Sequence, residues 1–130
     1  LPGGGNETVL IVEDDDGVRK LAGDTLEHLG YNVIAASTGQ ESLELMEAGN
    51  EPVHLLLTDV VMPGMSGFEL AAKLVVKHPR MKVLFMSGYS EEAVARHGLL
   101  DPEKNFLPKP FTPAGLAAKI REVLEAGPEE

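Results

Sequence analysis

The chain has 130 residues, no cysteine and a formal net charge of −10 at pH 7. This length fits one compact domain; the missing cysteines exclude a disulfide framework or a thiolate zinc site, and the acidity argues against direct nucleic-acid binding, which needs neutralising Lys and Arg. No apolar run approaches the ~20 residues that span a bilayer, and the start LPGGGNE lacks the regions of a signal peptide, so the default expectation is a cytoplasmic domain without membrane contact.

Residues 1–7 read as a flexible linker or the end of a preceding domain, and 127–130 as a frayed tail. Thr8–Val12 (TVLIV) is strand-like and apolar on both faces. Asp16–Leu29 places Val18, Leu21, Ala22, Leu26 and Leu29 at helical spacing, with Gly30 after the helix end. Asn32–Ala36 is a second strand. Ser37 and Thr38 with Gln40 and Glu41 predict a capped helix running to Ala48. His54–Thr58 is a third strand, and Ser66 with Glu69 is a capping box opening a helix that Pro79 stops. Lys82–Ser87 is a fourth strand, Ser90–His97 a short helix and Asn105–Leu107 a short fifth strand. Thr112-Pro113 is an N-cap followed by proline at the first helical position. Leu116, Ile120, Val123 and Leu124 form the inner face of that last helix.

The order is (βα) repeated five times. Strands apolar on both faces imply a parallel sheet covered by helices on both sides. Ligands of such sheets bind at the carboxyl ends of the strands. The residues there are Glu13, Asp14, Asp15 and Asp16 after strand one, Asp59 after strand three, Ser87 after strand four and Lys109 after strand five. Gathering Glu13, Asp14 and Asp59 at one rim is costly unless a cation joins them. Mg²⁺ is the natural hard, oxygen-loving ion. With a hydroxyl and an ammonium, these are the parts that hold a phosphoryl group, and Asp59 is a candidate nucleophile forming an aspartyl-phosphate.

Each residue also has a plainer reading. Asp59 suits a turn, Asp16 suits a helix cap, Ser87 suits a turn and Lys109 suits the surface. Their joint placement at one rim favours the functional reading. Asp14-Asp15-Asp16 also resembles the DxD of haloacid-dehalogenase-like phosphatases, an enzyme alternative that needs further acids late in the chain. The four histidines are scattered, the methionines read as gap-fillers, and no phosphate-binding glycine loop is present.

LIVEDD (Leu10–Asp15), LLLTDVVMPGMSG (Leu55–Gly67), VLFMSGYS (Val83–Ser90) and FLPKPF (Phe106–Phe111) occur in order at these strand ends. On these motifs the chain closely resembles the receiver domain of two-component response regulators, over residues 8–126. The resemblance implies a flavodoxin-like doubly wound sheet in the order 2-1-3-4-5. It implies a signalling phosphoacceptor rather than an enzyme, with Asp59 taking a phosphoryl group from a kinase phosphohistidine in a phosphorelay. Metal ligation by Glu13 (through water), Asp14, Asp59 and the Val61 backbone carbonyl follows from the same comparison, with Mg²⁺ as cofactor. Lys109 is then expected to pair with the phosphoryl oxygens, Ser87 to hydrogen-bond one of them, and Ser87 with Phe106 to act as the switch. A cis Lys109-Pro110 bond is also implied. Val61 and Tyr89 flank the path of attacking water in this family, and neither orients water, so slow self-hydrolysis is expected.

FMSGYS and FLPKPF resemble receivers fused to hybrid sensor histidine kinases, and LP before a glycine linker fits the end of a kinase domain. The expected partners are a histidine kinase domain and a histidine phosphotransfer protein. A degenerate receiver that binds partners without phosphorylation is the remaining alternative, and the full set of acids, hydroxyl and lysine argues against it.

Overall fold

The computed structural model describes residues 4–88 and 106–126. The described elements, in chain order, are β1 (Thr8–Val12), α1 (Asp16–His28), β2 (Asn32–Ala36), α2 (Gly39–Ala48), β3 (Leu55–Asp59), α3 (Gly67–Lys77), β4 (Lys82–Ser87), β5 (Phe106–Pro108) and α4 (Pro113–Glu125). The sheet is parallel throughout, in the order β2-β1-β3-β4-β5. This is the flavodoxin-like arrangement that the alternating pattern and the motifs imply. The helix expected at Ser90–His97 lies outside the described residues.

Alternation along each strand makes two cores. Val9, Ile11, Leu55, Leu57, Leu84 and Met86 point to one face and meet Ala22, Leu26, Leu116 and Ile120 from α1 and α4. Leu10, Val12, Leu56 and Phe85 point to the other and meet Leu70, Ala71 and Leu74 from α3. Successive side chains of a strand face opposite ways, so a strand covered on both sides must be apolar at every position. Burying each leucine is worth roughly 2 kcal/mol. The central strands are buried on both faces, and they carry the rim at their carboxyl ends. The methionines fill gaps as expected: Met62, Met81 and Met86 are buried, and Met46 and Met65 pack against the second core.

Several boundaries differ from the sequence reading by one residue. β3 runs from Leu55 to Asp59, so the carboxylate is the last residue of the strand itself. His54 stays outside and ties the strand start instead: its Nδ1 accepts the Thr8 N–H at 3.0 Å. β5 begins at Phe106. Its Pro108 pairs with Ser87 on an outer strand, where a missing N–H is tolerated. The cap of α1 is Asp15, not Asp16; the Asp15 carboxylate accepts the Val18 N–H at 2.9 Å. α1 ends at His28, with Leu29 as its C-cap.

Ser66 and Glu69 form the expected capping box on α3. At α2 only half of one is present. Thr38 accepts the Glu41 N–H, while the Glu41 carboxylate reaches back to Ser37 rather than to Thr38. Thr112 caps α4 by accepting the Gly115 N–H at 2.9 Å, with Pro113 following.

Candidate functional site at the carboxyl rim of the sheet

β1 delivers Glu13 directly after its last residue, and the Glu13 N–H continues the sheet by donating to Ala36 O at 3.1 Å. Glu13 is fully buried. One carboxylate oxygen accepts the Lys109 ammonium at 2.5 Å, and the other accepts the Asp15 N–H at 3.1 Å. Its backbone carbonyl accepts from Arg19 at 2.9 Å, which pins the start of α1 to the rim. Asp14 is exposed beside it.

β3 delivers Asp59. It pairs with Met86 of β4, and the preceding Thr58 pairs with Val12 of β1, so Asp59 lies between the ends of the two neighbouring strands. Asp59 is buried, and its Oδ1 accepts the Val60 N–H at 3.0 Å and lies 3.3 Å from Lys109 Nζ. Behind it the chain turns tightly. Gly67 N–H donates to Val60 O at 2.8 Å, and a Cβ on Gly67 would sit 2.1 Å from Asp59 O. Only a glycine lets the start of α3 approach that close.

β4 ends in Ser87, which is buried. Its backbone carbonyl accepts the Lys109 N–H at 2.8 Å, which anchors the lysine after β5. The Lys109-Pro110 bond is cis, as the motif implies. Phe106, at the start of β5, is buried. Val61 follows Asp59 by two residues, with its side chain 55% exposed. Tyr89 lies outside the described residues.

Glu13, Asp14 and Asp59 each place a carboxylate oxygen within 4.8 Å of the others. Burial pushes the Glu13 carboxyl above the usual range, against the hydrogen bonds from Lys109 and the Asp15 N–H. Burial likewise raises Asp59 despite the neighbouring Lys109. Burial alone would lower Lys109, but the hydrogen bond to Glu13 and the Asp59 charge outweigh it, and its ammonium is held above the ordinary value. One ammonium thus serves a rim that concentrates three carboxylates. All three offer hard oxygen donors, the set a divalent ion such as Mg²⁺ prefers.

The rim brings together most of the residues that the sequence singles out. Two contacts had no local signal: the Lys109–Glu13 pair, which spans 96 residues, and the Arg19 bond to the Glu13 carbonyl. The remaining aspartates divide into structural roles. Asp15 caps α1, and Asp16 pairs with Arg19.

A model of the response regulator receiver domain matches residues 9–121. The chain belongs to this family, the phosphoacceptor modules of two-component signalling. Among curated relatives, the sensor kinase CckA of Brucella abortus (strain 2308) is 45% identical over 121 residues, which is 93% of this chain and 13% of the kinase. The response regulator receiver protein CpdR of the same organism is 34% identical over 118 residues, covering 91% of this chain and 97% of that protein. Among solved structures, the receiver domain of the hybrid histidine kinase CckA superposes with a TM-score of 0.69 at 34% identity, covering 91% of this chain and 99% of that one. Among the described residues no helix is long and apolar enough to cross a membrane.

Proposed function

We propose that Asp59 is the phosphoacceptor of a phosphorelay. A carboxylate oxygen of Asp59 attacks the phosphorus of a kinase phosphohistidine. The phosphorus–nitrogen bond breaks, and its electron pair leaves with the imidazole, which becomes neutral on taking up a proton. The observation that carries this reading is one geometry: a buried strand-end carboxylate in contact with a lysine and grouped with two further acids.

Glu13, Asp14 and Asp59, with the Val61 carbonyl, would hold Mg²⁺, which neutralises charge on the transferring phosphoryl group. Lys109 stabilises the same charge by pairing with the phosphoryl oxygens. Ser87 then hydrogen-bonds one of those oxygens, and Phe106 repacks as the loop after β4 is drawn in, shifting the population of the outer face. Ser87→Ala should keep the phosphorylation and lose this response. Phosphate-dependent amide shifts that match the parent protein would count against the switch.

The exposed Val61 side chain carries no group that orients water, so the phosphoryl group should be long-lived. A half-life of seconds would contradict that. The donor is a histidine kinase domain, and a histidine phosphotransfer protein is the expected recipient. A hybrid sensor kinase is the parent that the CckA likeness favours. The test of the assignment is phosphorylation by phosphoramidate, followed by borohydride reduction and peptide mapping. The label should fall on Asp59; a label on Asp14, or an added phosphoryl group that leaves no borohydride-reducible residue, would displace the assignment.

A further inference from the structure

The α2 and α3 helices carry a groove that the phosphoacceptor reading does not use. It encloses about 650 Å³, and Leu43, Met46 and Leu74 lie in it. Val76, also lining it, is 81% exposed, more than any other large apolar side chain among the described residues. The charge along this groove is divided. Glu44 and Glu47 line the α2 side, and Lys73 and Lys77 line the α3 side. One ion contact crosses it, Lys77 to Glu47 at 3.8 Å, and both side chains are largely in solvent. Such a contact holds little free energy and is free to exchange partners.

We propose that this groove binds a second copy of the chain, face to face, about a two-fold axis running along the groove. That axis lays α2 of each copy over α3 of the other. Glu44 and Glu47 then oppose Lys73 and Lys77 on both sides, while Val76 and the apolar lining close together at the centre. A two-fold axis across the groove would instead stack acids on acids and lysines on lysines. The charge pattern therefore selects one isologous pairing and rejects the other. A different helical partner would need one acidic and one basic flank at matching spacing, which this surface supplies to itself.

Size sets the strength. α2 and α3 have 10 and 11 residues. At 1.5 Å per residue and about 10 Å per helix width, they present a face of roughly 300 Å². A standard interface takes about 800 Å² per partner. The dimer is accordingly weak and reversible, with charge fixing its geometry more than its affinity.

Sedimentation equilibrium of the full unphosphorylated chain, from about 10 μM to about 1 mM, tests this in the range where weak pairs form. The weight-average mass should rise from the monomer toward twice that value. The double variant Lys73→Glu with Lys77→Glu should stay monomeric, as should Glu44→Lys with Glu47→Lys. An equimolar mixture of the two should recover the association, which also shows that both variants fold. Val76→Asp should weaken it at least tenfold. A parent chain that is monomeric across the range overturns the proposal. So does a dimer indifferent to both charge reversals, or variants that fail to complement each other.

Discussion

Lys109 lies nearer to Glu13 than to Asp59: its ammonium is 2.5 Å from Glu13 Oε1 and 3.3 Å from Asp59 Oδ1. The lysine is shared between a buried structural acid and the proposed acceptor. Removing it leaves the buried Glu13 carboxyl with only the Asp15 N–H to answer it. Lys109→Ala should therefore lower stability in Mg²⁺-free buffer, by about 2–3 kcal/mol. Urea unfolding at pH 7 measures this, and an unchanged midpoint would show that the pair contributes nothing.

Asp59→Asn should act in the opposite direction. Burial raises the Asp59 carboxyl, so its ionised form is disfavoured in the folded state. A carboxyl with a raised folded pKa adds stability below its unfolded value near 4, and that contribution is lost as pH rises through the folded value. At pH 7 the neutral amide should therefore make the metal-free protein more stable than the parent. Mg²⁺ should stabilise the parent by about 2.7 kcal/mol at a hundredfold excess over its dissociation constant, and the variant far less. Thermal unfolding with and without Mg²⁺ reads both effects.

Gly67→Ala tests how tightly the acceptor is braced. Its Cβ would fall 2.1 Å from the Asp59 carbonyl oxygen, a backbone atom that cannot swing aside. The variant should lose about 2–3 kcal/mol, as overpacked sites do. A stability loss within ~0.5 kcal/mol, the range of neutral surface changes, would mean that the β3–α3 turn shifts freely.

At the far end of the sheet, Arg121 contacts both carboxylate oxygens of Glu7, at 2.9 and 3.0 Å, and the Tyr31 hydroxyl at 3.2 Å. Burial alone would raise Glu7, but the Arg121 hydrogen bond and charge, together with backbone N–H groups at Glu7 and Asn6, outweigh it, and the carboxyl is held below its ordinary value. The stability it adds is present above the unfolded value and disappears as pH falls through the folded one. Glu7→Gln should cost about 1 kcal/mol or less at pH 7 and nothing once Glu7 is protonated in acid. Urea midpoints of parent and variant should converge on acidification. A gap that persists would assign the loss to packing.

The sheet was largely legible because each central strand carries an unbroken apolar run, Val9–Val12, Leu55–Leu57 and Val83–Met86, which burial on both faces explains. β1, β2 and β4 have the bounds that their apolar runs predict. The shifts fall where local chemistry is degenerate. Asp14, Asp15 and Asp16 are equally good caps, and only the folded backbone selects Asp15. Glu41 suits a capping box, yet its carboxylate settles on Ser37. The acids at the rim were visible because they interrupt apolar runs. The Lys109–Glu13 contact was not, because no periodicity links residues at opposite ends of the chain.

The most direct test that Asp59 accepts the phosphoryl group is intact mass after incubation with acetyl phosphate and Mg²⁺, beside an Asp59→Asn control. The parent should gain one phosphoryl group, absent when Mg²⁺ is chelated and absent from the variant. A parent that takes up no phosphoryl group, or an Asp59→Asn variant that takes up as much as the parent, would contradict it.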